Sequence, residues 1–325
     1  MFQSKRNSAP SPIPAEMRAV VIDQFGGLEV LKQQTIPVPE ATHEDVLVRV
    51  GAVGINPVDW KTRIGEGVAS QITGFPFVLG WDVAGTIVAK GRRVTRFEVG
   101  DRVMGMVNFP SGGGGCAEYV LTRDTNVAAI GDSISFRDAA AVPLAALTAW
   151  QALFDTAHLQ SGKRVLVHAA AGGVGHLAVQ LAKWKGAFVI GTASERNHQF
   201  ARSLGCDEVY RYDGDVPPWT RIDDVDVVLD TIGGGTRERS LKVLGRGGML
   251  VTLLTGDSKA GLNAPTRVKK ILVKPNEREL EQIAQLMNEG ALQVHTTAVS
   301  GLRNVTEAHS LSESRHVRGK IVVTL

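Results

Sequence analysis

The string Ala169-Ala170-Ala171-Gly172-Gly173-Val174-Gly175 follows an apolar strand pattern, Arg164–Ala170, and opens a helical pattern from Val174 onward. Glycines at such a junction let the main chain approach a pyrophosphate with no Cβ in the way. The helix start behind them offers N–H groups without partners and a partial positive charge. The spacing is A-x-x-G-x-x-G rather than the commoner G-x-G-x-x-G, so its context carries the argument; the plainer reading is a Gly-rich turn between a strand and a helix. The next strand ends Gly191-Thr192-Ala193-Ser194, with Arg196 two residues on. A site for NAD usually has Asp or Glu near this point, accepting from the ribose 2′-hydroxyl. A hydroxyl and a guanidinium suit a 2′-phosphate instead. Tyr212, after the third strand, adds a phenol. These residues predict NADPH; the alternative is that Arg196 is a solvated helix-start residue.

The elements around this loop change character along the chain. Met17–Ile22, Glu44–Ile55, Val83–Gly91 and Gly100–Val107 read as short strands with Gly and Pro between them. That spacing predicts an antiparallel barrel or sandwich. Ser111–Gly115 (SGGGG) is either a flexible loop or a turn held close to other backbone. From Ala139 to Leu153 the apolar spacing is helical, broken or kinked at Pro143. Strands at Arg164–Ala170, Ala187–Ala193, Asp207–Tyr212, Asp224–Gly233 and Gly247–Leu254 then alternate with helices at Val174–Gly186, Arg196–Gly205 and near Glu238–Leu244. Apolar strands alternating with helices predict a parallel sheet covered on both faces. The tail reads as a strand at Arg267–Val273, a helix at Asn276–Gly290 and a strand at Lys320–Leu325.

Composition bounds the rest. With 325 residues, a prior of about 150 per domain suggests two domains. Lys+Arg minus Asp+Glu is 36 − 33 = +3, which gives no reason to expect a nucleic-acid partner. The two cysteines, Cys116 and Cys206, suit a reducing cytoplasm and cannot build a four-thiolate zinc site. Residues 1–16 lack the apolar run of a signal peptide and read as a loose tail. The longest apolar stretch, Ala139–Phe154, is too short and too polar to span a membrane. Cys116 reads as a small buried residue. Trp60, Trp81 and Trp150 either line a cleft or pack. Arg267, Lys269 and Lys270 either meet a phosphate-bearing substrate or form a solvated strand edge.

Several motifs recur together in one family. MRAVVIDQFGGLEVL, GINPVDWKTRIG, GWDVAGTIVAKG, FEVGDRVMG, AVPLAALTAWQAL, HAAAGGVG and the terminal RGKIVV make the chain from Met17 to Leu325 resemble the zinc-independent medium-chain dehydrogenase/reductase superfamily, in its quinone oxidoreductase branch. The resemblance implies an α/β protein: a GroES-like β-barrel catalytic domain (17–138), a Rossmann doubly wound parallel sheet binding NADPH (139–266), and a segment (267–325) returning to the first domain. Where zinc relatives carry Cys and a Gly-His-Glu turn, this chain has Asn56 and Gly80-Trp81-Asp82. Soft ligands are missing there, so no catalytic zinc is expected.

The same resemblance places Asn56 and Lys61 at the nicotinamide end of the cleft and Asp59 on an acidic position of that motif. Many relatives have Tyr where this chain has Lys61. For Asp59 the alternatives are loop structure, an Asx-type turn or an ion pair with Arg63. Cofactor contacts are implied for Thr148, for Ala171, Gly172, Gly173, Val174 and Gly175, and for Thr192, Ser194, Arg196 and Tyr212. They are implied as well for Gly233, Leu253, Leu254, Thr255 and Val273. Without a Lewis acid, hydride transfer to a small electrophile, a quinone or enone, is the expected chemistry. The resulting enolate needs hydrogen-bond donors, for which Asn56 and Lys61 are the candidates. Two alternatives stand beside this: an enoyl-thioester reductase, and a crystallin-like NADPH-binding protein without turnover. A homodimer through the Rossmann-sheet edge, near Gly247–Leu254, is also implied.

Overall fold

The computed structural model describes residues 12–213, 218–254 and 267–325. The expected contact at Thr255 and most of the N-terminal tail lie outside the described residues. Strand β1 (Glu16–Ile22) pairs antiparallel with β2 (Lys32–Pro37). Next come β3 (Asp45–Ile55), α1 (Pro57–Arg63), β4 (Phe77–Val78), β5 (Asp82–Lys90), β6 (Arg102–Met106), β7 (Tyr119–Arg123) and β8 (Val127–Ala129). β3 pairs antiparallel with both β5 and β7. β6 continues the sheet from β5, and β8 from β6. Val46, Leu47, Val48, Val50, Val53 and Ile55 are all buried, so β3 is covered on both faces.

The glycine run is a backbone-close turn. Gly114, Cys116 and Gly115 donate their amides to Val78, Leu79 and Gly80 respectively. A Cβ on Gly113 would stand 2.2 Å from the Val78 carbonyl oxygen. Only a residue without a side chain fits there.

Pro143 divides the long apolar stretch into α2 (Phe136–Ala140) and α3 (Pro143–Trp150), and a wider π turn continues α3 through Gln151–Thr156. Pro143 is the first helical residue of α3, where its missing N–H costs nothing. Every residue of α3 is buried, as expected of a helix that is apolar all round.

The parallel sheet is built from β9 (Arg164–Val167), β10 (Phe188–Ala193), β11 (Glu208–Arg211), β12 (Val225–Asp230), β13 (Leu244–Thr252) and β14 (Val268–Lys270). Between them run α4 (Gly175–Trp184), α5 (His198–Ser203) and α6 (Gly234–Val243). The spatial order is β11-β10-β9-β12-β13-β14, the doubly wound arrangement, and it reverses between β9 and β12. Ligands of such sheets bind beyond the carboxyl ends of the strands at that reversal.

The tail adds α7 (Glu277–Asn288), β15 (Thr296–Ser300), α8 (Val305–Glu313) and β16 (Lys320–Thr324). β16 pairs antiparallel with β3, Ile321 opposite Ile55 and Val322 opposite Gly54. The C-terminal segment therefore does return to the first sheet, although later than expected. β14 still belongs to the parallel sheet, pairing with β13, and the return begins with β15. β13 lies inside that sheet, so the segment expected at its edge is not the edge; β14 is. Arg267 donates to the Gly245 and Gly248 carbonyls while Lys269 and Lys270 are exposed, which makes this basic group a solvated strand edge.

Gly54 marks the tightest approach between the layers. A Cβ there would stand 2.1 Å from the Ala140 carbonyl oxygen, in backbone that has β3, β5 and α2 fixed around it. Gly54→Ala is expected to lower unfolding stability by about 2–3 kcal/mol through overpacking, measured by urea denaturation.

Candidate functional site

Three segments meet at the reversal point. The loop after β9 carries Ala169 at φ +48, and its carbonyl lies 2.1 Å from where a Cβ of Gly175 would stand. Glycine at 175 thus lets α4 begin directly on the strand end. Gly173 leads into α4, Val174 is its N-cap and Gly175 its first residue; the amides that open a helix have no partner within it. Ala171 accepts from the Gly319 amide at 2.9 Å, so the returning segment is sewn to this loop. A Cβ on Gly173 would meet the Lys320 side chain at 3.3 Å.

Lys320 is fully enclosed. Its ammonium donates to the Asn56 amide oxygen and to the Ile55 carbonyl, and stands 3.6 Å from Asp82 Oδ2. Asp82 also accepts from Asn56 Nδ2 at 2.9 Å and, through Oδ1, from the Leu144 amide in the first turn of α3 at 2.8 Å. One carboxylate thereby ties the first sheet to the helix that opens the second domain, at its positive end. Burial lowers the pKa of Lys320 and raises that of Asp82, each opposed by the other's charge. Asp59 accepts from the Asn56 amide at 2.7 Å, closing the N-terminus of α1 as a capping box with Asn56. It is buried completely, and that burial pushes its pKa up to about 7.

These contacts correct the catalytic expectation for Asp59 and constrain that for Asn56. Asn56 spends both ends of its buried side-chain amide on Asp82 and Lys320, with one Nδ2 hydrogen left uncommitted. Asp59 caps α1 and does not pair with Arg63, whose guanidinium meets Glu313 instead. Both position α1. Of the three candidates, Lys61 alone is partly exposed.

The remaining expected contacts fall into two groups. At the end of β10, Ser194 accepts from Asn197 Nδ2 and Arg196 is exposed. Ala193 is paired in register with Arg211, which sets exposed Tyr212 at the neighbouring strand end. Thr192 is a correction: its side chain is buried and its hydroxyl pairs with His168 Nδ1 at 3.0 Å, beneath the strand ends. Past β12 and β13, Gly233 at φ +78 donates to Asp230. A Cβ on it would meet Leu254 at 2.7 Å, so these two chain ends touch. Leu253 is tied back through its amide to the Asp230 carbonyl. Thr148 is buried on α3, its hydroxyl spent on the Leu144 carbonyl, and Val273 is buried in the large apolar cluster that includes α3. Trp81 is fully buried against Phe109, and Trp150 packs on Phe154 and Trp184, so both pack rather than present a free face. Cys116 is buried and free, its pKa raised well above the ordinary value by burial.

Sequence reasoning missed Lys320, Arg318 and Arg237. Arg318 donates to Asn197 Oδ1 at 2.8 Å and to the Arg196 carbonyl at 3.3 Å, bringing a second guanidinium to the end of β10. Arg237 joins Asp230 to Thr252 across the ends of β12 and β13. The RGKIVV motif carries Arg318 and Lys320, but nothing in its spacing says which way either side chain turns.

The chain resembles known proteins over nearly its whole length. Residues 42–132 match the alcohol dehydrogenase GroES-like domain family and residues 204–323 the zinc-binding dehydrogenase family. An Arabidopsis thaliana NADPH-dependent alkenal/one oxidoreductase is 34% identical over 330 residues, 97% of this chain and 81% of the relative. The structure of the quinone oxidoreductase from Coxiella burnetii superposes with a TM-score of 0.89 at 38% identity, covering 95% of this chain and 99% of that one. An Escherichia coli quinone oxidoreductase complexed with NADPH gives a TM-score of 0.83 at 28% identity, covering 95% and 100%. The zinc in one family description does not fit these residues. Among the described residues no three His, Cys, Asp or Glu side chains form a metal-holding group, and the Lys320 ammonium already stands among the buried oxygens.

Two outcomes follow from the buried cluster. Lys320→Met leaves Asp82 charged and without its cation, and is expected to cost about 3–5 kcal/mol; adding Asp82→Asn should recover part of that loss in urea unfolding. A carboxyl whose pKa is raised on folding contributes stability at low pH that is lost as pH rises through the folded value. Asp59 therefore destabilises the fold increasingly as pH rises from about 4 to about 7 and by a constant amount above that, and Asp59→Asn should flatten the dependence of Tm on pH across that region.

Proposed function

This chain belongs to the medium-chain dehydrogenase/reductase superfamily, in its quinone oxidoreductase branch, and from that premise we propose that it is an NADPH-dependent reductase of quinones or α,β-unsaturated carbonyls that works without zinc. The observation that carries the reading is the strand-end constellation. A glycine-opened helix start lies beside Lys320, and the Ser194 hydroxyl and the Arg318 guanidinium both bond Asn197 at the end of β10, with exposed Arg196 beside them in the chain. The first suits a pyrophosphate and the second a 2′-phosphate.

In this reading Ala171, Gly172, Gly173, Val174 and Gly175 hold the pyrophosphate, and Ser194, Arg196 and Arg318 hold the 2′-phosphate with Tyr212 beside them. Thr148, Gly233, Leu253, Leu254 and Val273 wall the nicotinamide half. NADPH supplies the hydride when bound. Lys61 donates to the acceptor oxygen, where negative charge develops as the β-carbon is reduced. The α-carbon takes its proton from water or from Lys61. Asn56 and Asp59 hold α1, and so Lys61, in place. An acceptor that delocalises its own charge needs little beyond this positioning. The dimer implied by the resemblance would form along the β14 edge. A reducing compartment suits the two free, buried thiols.

The test follows reduced-nicotinamide absorbance with a quinone, a 2-alkenal and crotonyl-CoA as acceptors, in EDTA, with NADPH and with NADH. Turnover that survives EDTA and prefers NADPH is expected; clear NADPH binding with no turnover of any acceptor counts against the reading. Replacing Arg196 and Arg318 together by Ala should raise KM for NADPH at least about tenfold and leave that for NADH nearly unchanged. Lys61 has its pKa lowered by burial first and by Arg315 second. The alkaline fall in kcat/KM should accordingly lie below the ordinary lysine range, and Arg315→Asn should move it to higher pH.

A further inference from the structure

Lys61 does not stand alone. Its ammonium lies 5.8 Å from the centre of the Trp60 ring, and the Arg315 guanidinium lies 5.6 Å from the same centre. Two cations thus share one indole, and they repel each other across it. Among the described residues, no carboxylate stands within ion-pairing distance of either. The acids nearby are otherwise engaged or too far: Asp59 caps α1, Glu313 pairs with Arg63, and Glu66 acts on Lys61 only at longer range. Arg315 also sits at φ +57, a left-handed conformation that favours glycine or asparagine. The backbone there is the turn that ends α8, with the Arg315 amide donating to the Ser312 carbonyl. The exposed guanidinium is held over the indole with no carboxylate of the described residues beside it, open to an anion from solution.

The placement is specific. Lys61 lies in α1, whose cap residue Asn56 accepts from Lys320. Arg315 lies five residues before Lys320, in the segment that next places Arg318 at the end of β10 and Gly319 on the Ala171 carbonyl. α8, which Arg315 follows, packs on α1, so the pair stands where these two helices meet the segment that runs on to the glycine loop.

We propose that the acceptor carries, besides its electrophilic carbonyl, a separate anionic group of the carboxylate kind, and that Arg315 binds it beside Lys61. The inference rests on the reductase reading and narrows its substrate class to acidic enones or quinones. An arginine–carboxylate contact of this type separates anionic from neutral acceptors by about tenfold or more.

The experiment compares (E)-6-oxohept-4-enoate with its methyl ester, a pair in which two methylenes insulate the enone from the charge. The ratio of kcat/KM, carboxylate over ester, is expected to exceed about ten. It should fall toward one in Arg315→Asn, which keeps the left-handed backbone comfortable, and survive largely in Arg315→Lys, which is as strained as the arginine. A ratio near one in the unaltered protein, or a ratio indifferent to Arg315→Asn, overturns the proposal and leaves the reductase reading standing. No NADPH oxidation with either compound overturns that reading and the proposal together.

Discussion

An ammonium group enclosed by protein on every side must find its partners before the fold can close around it, and Lys320 finds them along the edge where the first sheet meets α1 and α3. Ile55 ends β3, Asn56 caps α1, and Asp82 reaches from β5 to the amide of Leu144 in the first turn of α3. Leaving water costs such a charge several kcal/mol, and only well-aimed oxygens offset it. The geometry of β3, α1, β5, α3 and β16 is therefore specified jointly. None of them can shift without leaving a buried charge or a buried amide unpaired.

The glycine loop inherits its position from this arrangement. Gly319 precedes Lys320 directly and donates to Ala171, so anchoring the lysine also anchors the loop at the carboxyl end of β9. Arg318, one residue further back, is carried to the end of β10 by the same anchoring. A segment from the far end of the chain thus joins the loop after β9 to the end of β10, where the nucleotide site is proposed. The Lys320 ammonium fills the space at the Asn56 amide oxygen, and the Trp81 indole packs on Phe109, so neither position offers a soft metal ligand.

Much of the fold is legible in the residues because its elements are patterned locally. The apolar runs of β3, β9, β10 and β12 and the Gly stops after α4 and α5 set those elements within three residues at either end. The parts that escaped are those whose partners lie far away in sequence. β2 and β15 are short, half-exposed strands with no strong pattern. β14 looks like the start of the tail, yet its neighbour in space is β13. The site shows the same division. Glycines 172, 173 and 175 announce themselves through their strand and helix, and Ser194 and Arg196 through the missing carboxylate. Asp59 was found as a residue but misassigned in role, because its carboxylate closes α1 from within; the partners of Asn56 were not legible, because Lys320 lies more than 260 positions away. Thr192 was misassigned for a related reason: the histidine that claims its hydroxyl comes from another strand.

Burial separates structural charge from chemical charge in this protein. Asp82 and Lys320 are enclosed and mutually satisfied, so their worth lies in joining layers, and a substrate would gain nothing from groups already saturated. Arg237 with Asp230 follows the same pattern. Lys61 and Arg315 reverse it. They are accessible, of like sign, and without a counter-charge among the described residues. Each is attracted to the indole and repelled by the other. An anion bound between them would relieve that repulsion, and so the acceptor proposed for this site is acidic.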